Sequence, residues 1–302
     1  EETGENLMHG MGELHLEVIE NRIKNNKNLN IKTSSPIVVY REAIAKKSKE
    51  IEGKSPNKHN KFYIIVEPMA DNVYDAIKAG ELPEGRVKKN DRLLMDKLRD
   101  LGWDAKMARN VRDVFHGCLF LDQTRGEVHI GEVIELVLDG FEQVMKEGPL
   151  ARERGVKIQV NLMDTKLHED AIHRGPAQVL PAVRAAIKGA MLDAGALIYE
   201  PIQILQIEAP SEYMGEISKL VQNKRGQLLE MNQEGEHITV KAKLPVAEMF
   251  GLSNDLRSTT GGRGVQFLVD QKFEKLPIEL QQKVIRIIRE RKVVTFFRIF
   301  CE

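Results

Sequence analysis

Two loops concentrate the side chains with the greatest chemical reach. The first, Ser55-Pro56-Asn57-Lys58-His59-Asn60, lies in a window from 46 to 62 with lysines at 46, 47, 49, 54, 58 and 61 against Glu50 and Glu52, six cations less two anions, or +4. Hydroxyl, amide, imidazole and ammonium groups at that density donate to phosphate and sugar oxygens, and the proline stiffens the turn. A merely solvated basic loop has the same composition. The second, Asp170-Ala171-Ile172-His173-Arg174-Gly175-Pro176-Ala177-Gln178, presents an imidazole and a guanidinium on a turn ahead of a helix. Such groups reach phosphates, stack on bases or touch 2′-hydroxyls, although a single loop histidine is ordinarily a plain surface residue.

Bond-making motifs fail one after another. The chain contains no G-x-x-x-x-G-K-[ST] phosphate loop. His168-Glu169-Asp170-Ala171-Ile172-His173 has one residue more than H-E-x-x-H. On a helix its imidazoles would stand roughly 140° apart and share no ligand face. Gly261-Gly262-Arg263-Gly264 precedes a strand, so it reads as a tight turn and not as a dinucleotide loop. No catalytic residue, metal site or cofactor site is expected. Cys118 and Cys301 are far apart and form no spaced pair. That pattern excludes a disulfide framework or zinc knuckle and fits a reducing cytoplasm.

These loops need a folded frame, and composition allows one. The 302 residues carry 45 basic and 45 acidic side chains, with 42% hydrophobic residues. This excludes disorder and excludes RNA binding by bulk charge. Neutrality is a sum of opposed blocks: residues 127–147 hold six acids against Lys146, and 283–292 hold five bases against Glu290. No apolar run approaches the ~20 residues of a membrane helix. The first residues lack the n-region of a signal peptide and an initiator Met, so the chain is expected to begin inside a longer protein.

The periodicity supplies the elements. Asn6-Leu7-Met8 reads as a strand end, Gly10–Gly12 as a turn, 13–25 as a helix and 29–33 as a strand. That half-core is too small to stand alone. Further strands are expected at 37–43, 62–67 and 157–162. A helix over 127–146 carries an apolar stripe from Val133 to Met145. Another runs over 181–194, with Pro181 at its first position. Residues 201–270 read β-α-β-β-α-β, the split-βαβ order, with helices at 214–223 and 246–257. A last helix spans 277–292.

Several of these segments resemble one family. Gly10-Met11-Gly12-Glu13-Leu14-His15-Leu16-Glu17 resembles the third-domain motif of the translocation GTPases. Ser55-Pro56-Asn57-Lys58-His59-Asn60 resembles a tip loop of domain IV in the elongation factor 2 family. Asp170-Ala171-Ile172-His173-Arg174-Gly175 is similar to its modified-histidine loop. Asn223-Lys224-Arg225-Gly226-Gln227 resembles the helix-to-strand turn of its domain V. The agreement runs over residues 1–292, the variant Gly175-Pro176-Ala177-Gln178 looks archaeal, and 293–302 do not resemble the family's terminus.

The resemblance implies a multidomain α+β chain. Ferredoxin-like split-βαβ domains, the second half of domain III at 1–36 and domain V at 199–272, would flank a ribosomal-protein-S5-domain-2-like α/β domain. That domain IV would occupy 37–198, completed by the C-terminal helix region 273–302. The resemblance further implies the back half of a ribosomal translocase, which promotes GTP-dependent movement of tRNA and mRNA with the domain IV tip in the decoding site. The GTPase domain, with its GTP and Mg, would lie outside this chain, leaving no enzyme and no cofactor here. By the same resemblance His173 is the diphthamide position. Ser55, Pro56, Asn57, Lys58, His59, Asn60, Asp170, His173, Arg174 and Gly175 would contact RNA, with both loops at one tip. The implied partners are the ribosome (small-subunit decoding site and large-subunit RNA), the tRNA–mRNA duplex and diphthamide-synthesis enzymes, in the cytoplasm and away from membranes. The competing reading is a stand-alone ribosome- or RNA-binding module of the same folds.

Overall fold

The computed structural model describes residues 8, 13–27, 29, 31, 37–88, 91–125 and 129–299, with side chains at all of these except 13, 14, 27 and 293–299. The expected strands at 6–8 and 29–33 and the turn at 10–12 fall largely outside them. Two compact units emerge: 41–199 with 276–291, and 1–40 with 200–275 and 292–302. Helix α1 (Glu13–Lys27) belongs to the second of these.

The unit that carries both loops is built on strands β1 (Arg41–Ile44), β2 (Ile51–Lys54) and β3 (Lys61–Pro68), helix α2 (Asp71–Lys78), and β4 (Gly85–Arg86). Helices α3 (Arg92–Asp100) and α4 (Ala105–Arg109), strands β5 (Val111–Phe115) and β6 (Cys118–Asp122), helix α5 (Ile130–Lys146), strand β7 (Ile158–Lys166) and helix α6 (Pro176–Asp193) complete it. Six strands form one sheet in the order β2-β3-β7-β6-β5-β4. Only β6 and β7 run parallel, and α5 is the crossover between them, as a parallel pair requires.

Alternation along β3 turns Phe62, Ile64 and Val66 to one face, where α5 and α6 bury them. Strand β6 is buried on both faces: Cys118 and Phe120 meet α5 and α6, while Leu119 and Leu121 meet α2, α3 and α4. Gly53 sets how closely α6 lies on β2. A Cβ there would stand 2.2 Å from the Ala182 carbonyl oxygen and 2.7 Å from the Ala186 Cβ.

Helix α6 corrects one expectation. Pro176, not Pro181, occupies its first turn, and Pro181 lies inside the helix. Gly175 precedes Pro176 in an extended conformation (φ −69°, ψ 168°), as a residue before proline must. Helix α5 begins at Ile130, three residues later than expected. Its acidic stretch does not simply face solvent. Glu135, Asp139 and Glu142 each pair with the Arg86 guanidinium, at 3.0, 2.7 and 2.7 Å. Arg86 also sits 3.5 Å from Asp113, a fully buried carboxyl that loss of hydration pushes up to about 7.

The other unit contains most of β8 (Ala196–Pro210), helix α7 (Met214–Asn223), strands β9 (Gln227–Glu234) and β10 (His237–Pro245), helix α8 (Leu252–Thr259) and β11 (Val265–Lys275). Strand neighbours run β11-β8-β10-β9, the split-βαβ arrangement. Ile217 and Val221 of α7 and Leu252 and Leu256 of α8 pack on Leu205, Ile207, Val240 and Ala242. The expected helix over 246–257 is instead a 3₁₀ turn at Val246–Glu248 followed by α8. Gly251, at φ +76°, makes the break. Helix α9 (Ile278–Ile299) starts in the first unit. There the buried Gln281 amide accepts from the Ile198 N–H (2.8 Å) and donates to the Ile198 carbonyl (3.0 Å). Two of its basic residues are tied down locally, Arg289 to the Leu150 carbonyl and Arg291 to Glu153.

Candidate functional site

The six residues 55–60 are the hairpin loop between β2 and β3, and β3 pairs directly with β7. Lys61 therefore stands opposite Lys166. The chain leaving β7 must emerge beside the hairpin loop, and its next residues are the segment with His168, Asp170, His173 and Arg174. Sheet pairing alone brings the two loops to one end of the unit.

Each loop is internally ordered. The Lys58 N–H donates to the Ser55 carbonyl (2.7 Å), and Lys58 takes a left-handed conformation, φ +63°. The Ser55 hydroxyl donates to Asn57 Oδ1 (2.5 Å) and accepts from the Asn60 N–H (2.9 Å). In the second loop a 3₁₀ turn spans Ala171–Arg174, capped by Asp170, whose carboxylate accepts from the Ile172 N–H (3.0 Å). The Asp170 N–H in turn donates to His168 Nδ1 (3.1 Å).

Asparagines join the loops. Asn60 is fully buried; its Nδ2 donates to the His173 carbonyl (2.7 Å), and its Oδ1 accepts from the His168 N–H (3.1 Å). The Asn57 N–H donates to Gln178 Oε1 (3.0 Å) on the first turn of α6. Three imidazoles then cluster, with ring centroids 4.9 Å apart for His59–His168 and His59–His173 and 4.5 Å for His168–His173. The helical argument that kept His168 and His173 apart thus fails, because the segment between them is a loop and a 3₁₀ turn. Among the described residues, no group of three His, Cys, Asp or Glu side chains is arranged to hold a metal ion.

The ten residues expected to touch RNA divide by burial. Pro56, Lys58, His59 and Asp170 are exposed; Asn57, His173 and Gly175 are half-buried. Ser55, Asn60 and Arg174 are buried, and their side chains bond within the unit and build the loops. Arg174, 6% exposed, donates through Nη1 to the His168 (2.8 Å) and Glu169 (3.2 Å) carbonyls and through Nη2 to Glu132 Oε2 (2.5 Å). Glu132 lies in the first turn of α5 and its other oxygen meets His129 Nδ1 at 3.0 Å. Its carboxyl is held below the usual range by the His129 contact first and by the Arg174 charge.

Glu132 had no mark in the sequence, being remote from the loop with nothing in its neighbours pointing to it, while His168 and Gln178 stand in segments quoted for other reasons. Ile172 is the most exposed large apolar side chain among the described residues, at 78%. Around the cluster, Lys54 and Lys61 share Glu52, at 3.7 and 2.9 Å. The tip thus offers ammonium and imidazole groups on a hydrogen-bonded scaffold, chemistry suited to phosphate and ribose oxygens.

Residues 1–35 match the family model described as Elongation Factor G, domain III, residues 84–195 match Elongation factor G, domain IV, and 197–284 match Elongation factor G C-terminus. Elongation factor 2 of Pyrococcus horikoshii is 51% identical over 97% of this chain, and that of Methanosphaera stadtmanae 50% over 98%. Elongation factor 2 of Thermococcus kodakarensis is 50% identical over 97%. In each case the chain spans 40% of the relative's length. With three consecutive domain models matched in order and half of its residues identical to archaeal elongation factor 2 along nearly its whole length, the chain belongs to the elongation factor 2 family.

Proposed function

We propose that this chain does the RNA-facing work of a ribosomal translocase, the GTP-dependent step being driven by a GTPase domain, with its GTP and Mg, elsewhere in the full-length factor. The observation that carries the reading is the pair of hydrogen-bonded loops that sets Lys58, His59 and His173 together at one end of the 41–199 unit. A small, preformed tip with donors on its surface can enter the decoding site and hold the tRNA–mRNA duplex in register by shape and charge. No bond need be made or broken. Diphthamide at His173 would extend this tip by a polar arm ending in a trimethylammonium cation, installed by its own synthesis enzymes. That cation would find phosphates at short range, and its contribution would fall with added salt. The 200–275 unit would meet large-subunit RNA, and the work would take place in the cytoplasm. No helix among the described residues is long and apolar enough to cross a membrane.

The test is translocation by the full-length factor carrying Lys58→Ala or His173→Ala. Slower translocation and loss of reading frame are expected; wild-type rate and frame in both variants would refute the proposal. Mass measurement of the native protein decides whether His173 is modified.

A further inference from the structure

Arg174 is the inward member of an otherwise outward turn. It follows His173 directly in the 3₁₀ turn, yet its guanidinium is buried; Nη1 and Nη2 donate to two carbonyls of its own loop and one carboxylate of a different element, while Nε has no partner among the described residues. A planar fork spreads its donors over a rigid plane, whereas the three donors of an ammonium radiate from one rotatable centre. The carboxylate it reaches, Glu132, is on the first turn of α5, where the helix N-terminus favours a negative charge. Glu132, Glu135, Asp139 and Glu142 recur at helical spacing on one stripe of α5, and the last three are gripped by Arg86 from the sheet edge. Helix α5 is therefore itself fixed before it offers Glu132 to the loop.

We infer that Glu132 is a positioning residue for the His173 turn: its carboxylate holds the Arg174 guanidinium, Arg174 holds the His168 and Glu169 carbonyls, and the stance of His173 is set by α5. Without Glu132 the buried guanidinium loses its counter-charge and the turn loses its only side-chain tie to α5 among the described residues. The Asn60 bonds would remain, so the loop should loosen on one side and not detach. The consequence for translocation rests on the proposed function; the positioning itself does not.

The experiment uses two readouts. In the 302-residue chain with isotope-labelled histidine, Glu132→Ala should move the His168 and His173 ring signals and speed amide exchange across 168–174 by about tenfold, with only a modest fall in the thermal midpoint, since Glu132 is half-exposed and water can reach the guanidinium it leaves. Glu132→Gln, which keeps an acceptor for Nη2, should fall between wild type and alanine, and Arg174→Lys should resemble alanine. Wild-type ring signals and exchange in Glu132→Ala overturn the inference. In the full-length factor, Glu132→Ala should slow translocation by about threefold or more. A wild-type rate there, beside a slow His173→Ala, also overturns it. Wild-type rates in both would refute the tip reading instead, and the spectra would then decide the positioning alone.

Discussion

Asn60 is the residue on which the joint between the two loops depends most. Replacing it by alanine removes the donor to the His173 carbonyl at 2.7 Å and the acceptor of the His168 N–H at 3.1 Å. Each abandoned backbone group costs about 1–3 kcal/mol if it stays dry. His168 and His173 are half-exposed, so water can reach both groups and the lower end applies, about 2 kcal/mol for the pair. That corresponds to roughly a thirtyfold rise in the population of the opened joint. Asn60→Asp keeps the acceptor but sets a carboxylate against the His173 carbonyl, so it should open the joint at least as far. Hydrogen exchange resolved by peptide is the assay. Peptides covering 55–60 and 167–175 should exchange faster in both variants, while those from β6, β7 and α6 stay protected. Unchanged exchange at the two loops would refute the reasoning. So would a uniform loss of protection over the whole unit, since it would make the joint part of the global core.

The same geometry leads to three further outcomes. Gly53→Ala drives a methyl into the Ala182 carbonyl at 2.2 Å and should destabilise the unit by about 1–3 kcal/mol, read as a lowered urea midpoint. Asp113 titrates at about 7 when folded, against an ordinary 3.8. Folding therefore holds its proton between those values, and wild-type stability falls as pH rises through that window, then levels off. Asp113→Asn should remove this dependence. Its advantage over wild type should be nil below pH 4 and grow to at most about 4 kcal/mol above pH 7, measured by denaturation across pH. Lys58→Gly keeps the left-handed turn that Lys58 adopts at φ +63° and removes the ammonium with its stem. In ribosome binding by the full-length factor it should lower the slope of log affinity on log salt by about one.

The sequence makes some of this legible and hides the rest for physical reasons. The β-α-β-β-α-β order at 201–270 is readable because each element carries its own period. The apolar stripe of α5 is readable for the same reason, since burial of Val133, Val137 and Phe141 repeats every turn. The start of α6 is not, because two prolines five residues apart both satisfy a helix start, and only the extended Gly175 before Pro176 decides between them. The closeness of the two loops is legible through family resemblance, whereas its cause, β3 paired with β7, joins residues about a hundred positions apart. Arg174 misleads because a guanidinium in a histidine-bearing loop looks ready for phosphate. Its inward turn depends on Glu132, forty-two residues earlier.

Helices α5 and α6 lie side by side, with Glu132 beside Arg174 at their beginnings and Gly140 against Val183 two turns further on, so they run in the same direction. Both start at the tip, and with 17 and 18 residues each extends roughly 25 Å or a little more. The pair works as a double strut. A load applied at His173 along these axes would be directed toward the far ends near Met145 and Asp193. The two helices thus link the tip to the opposite end of the unit.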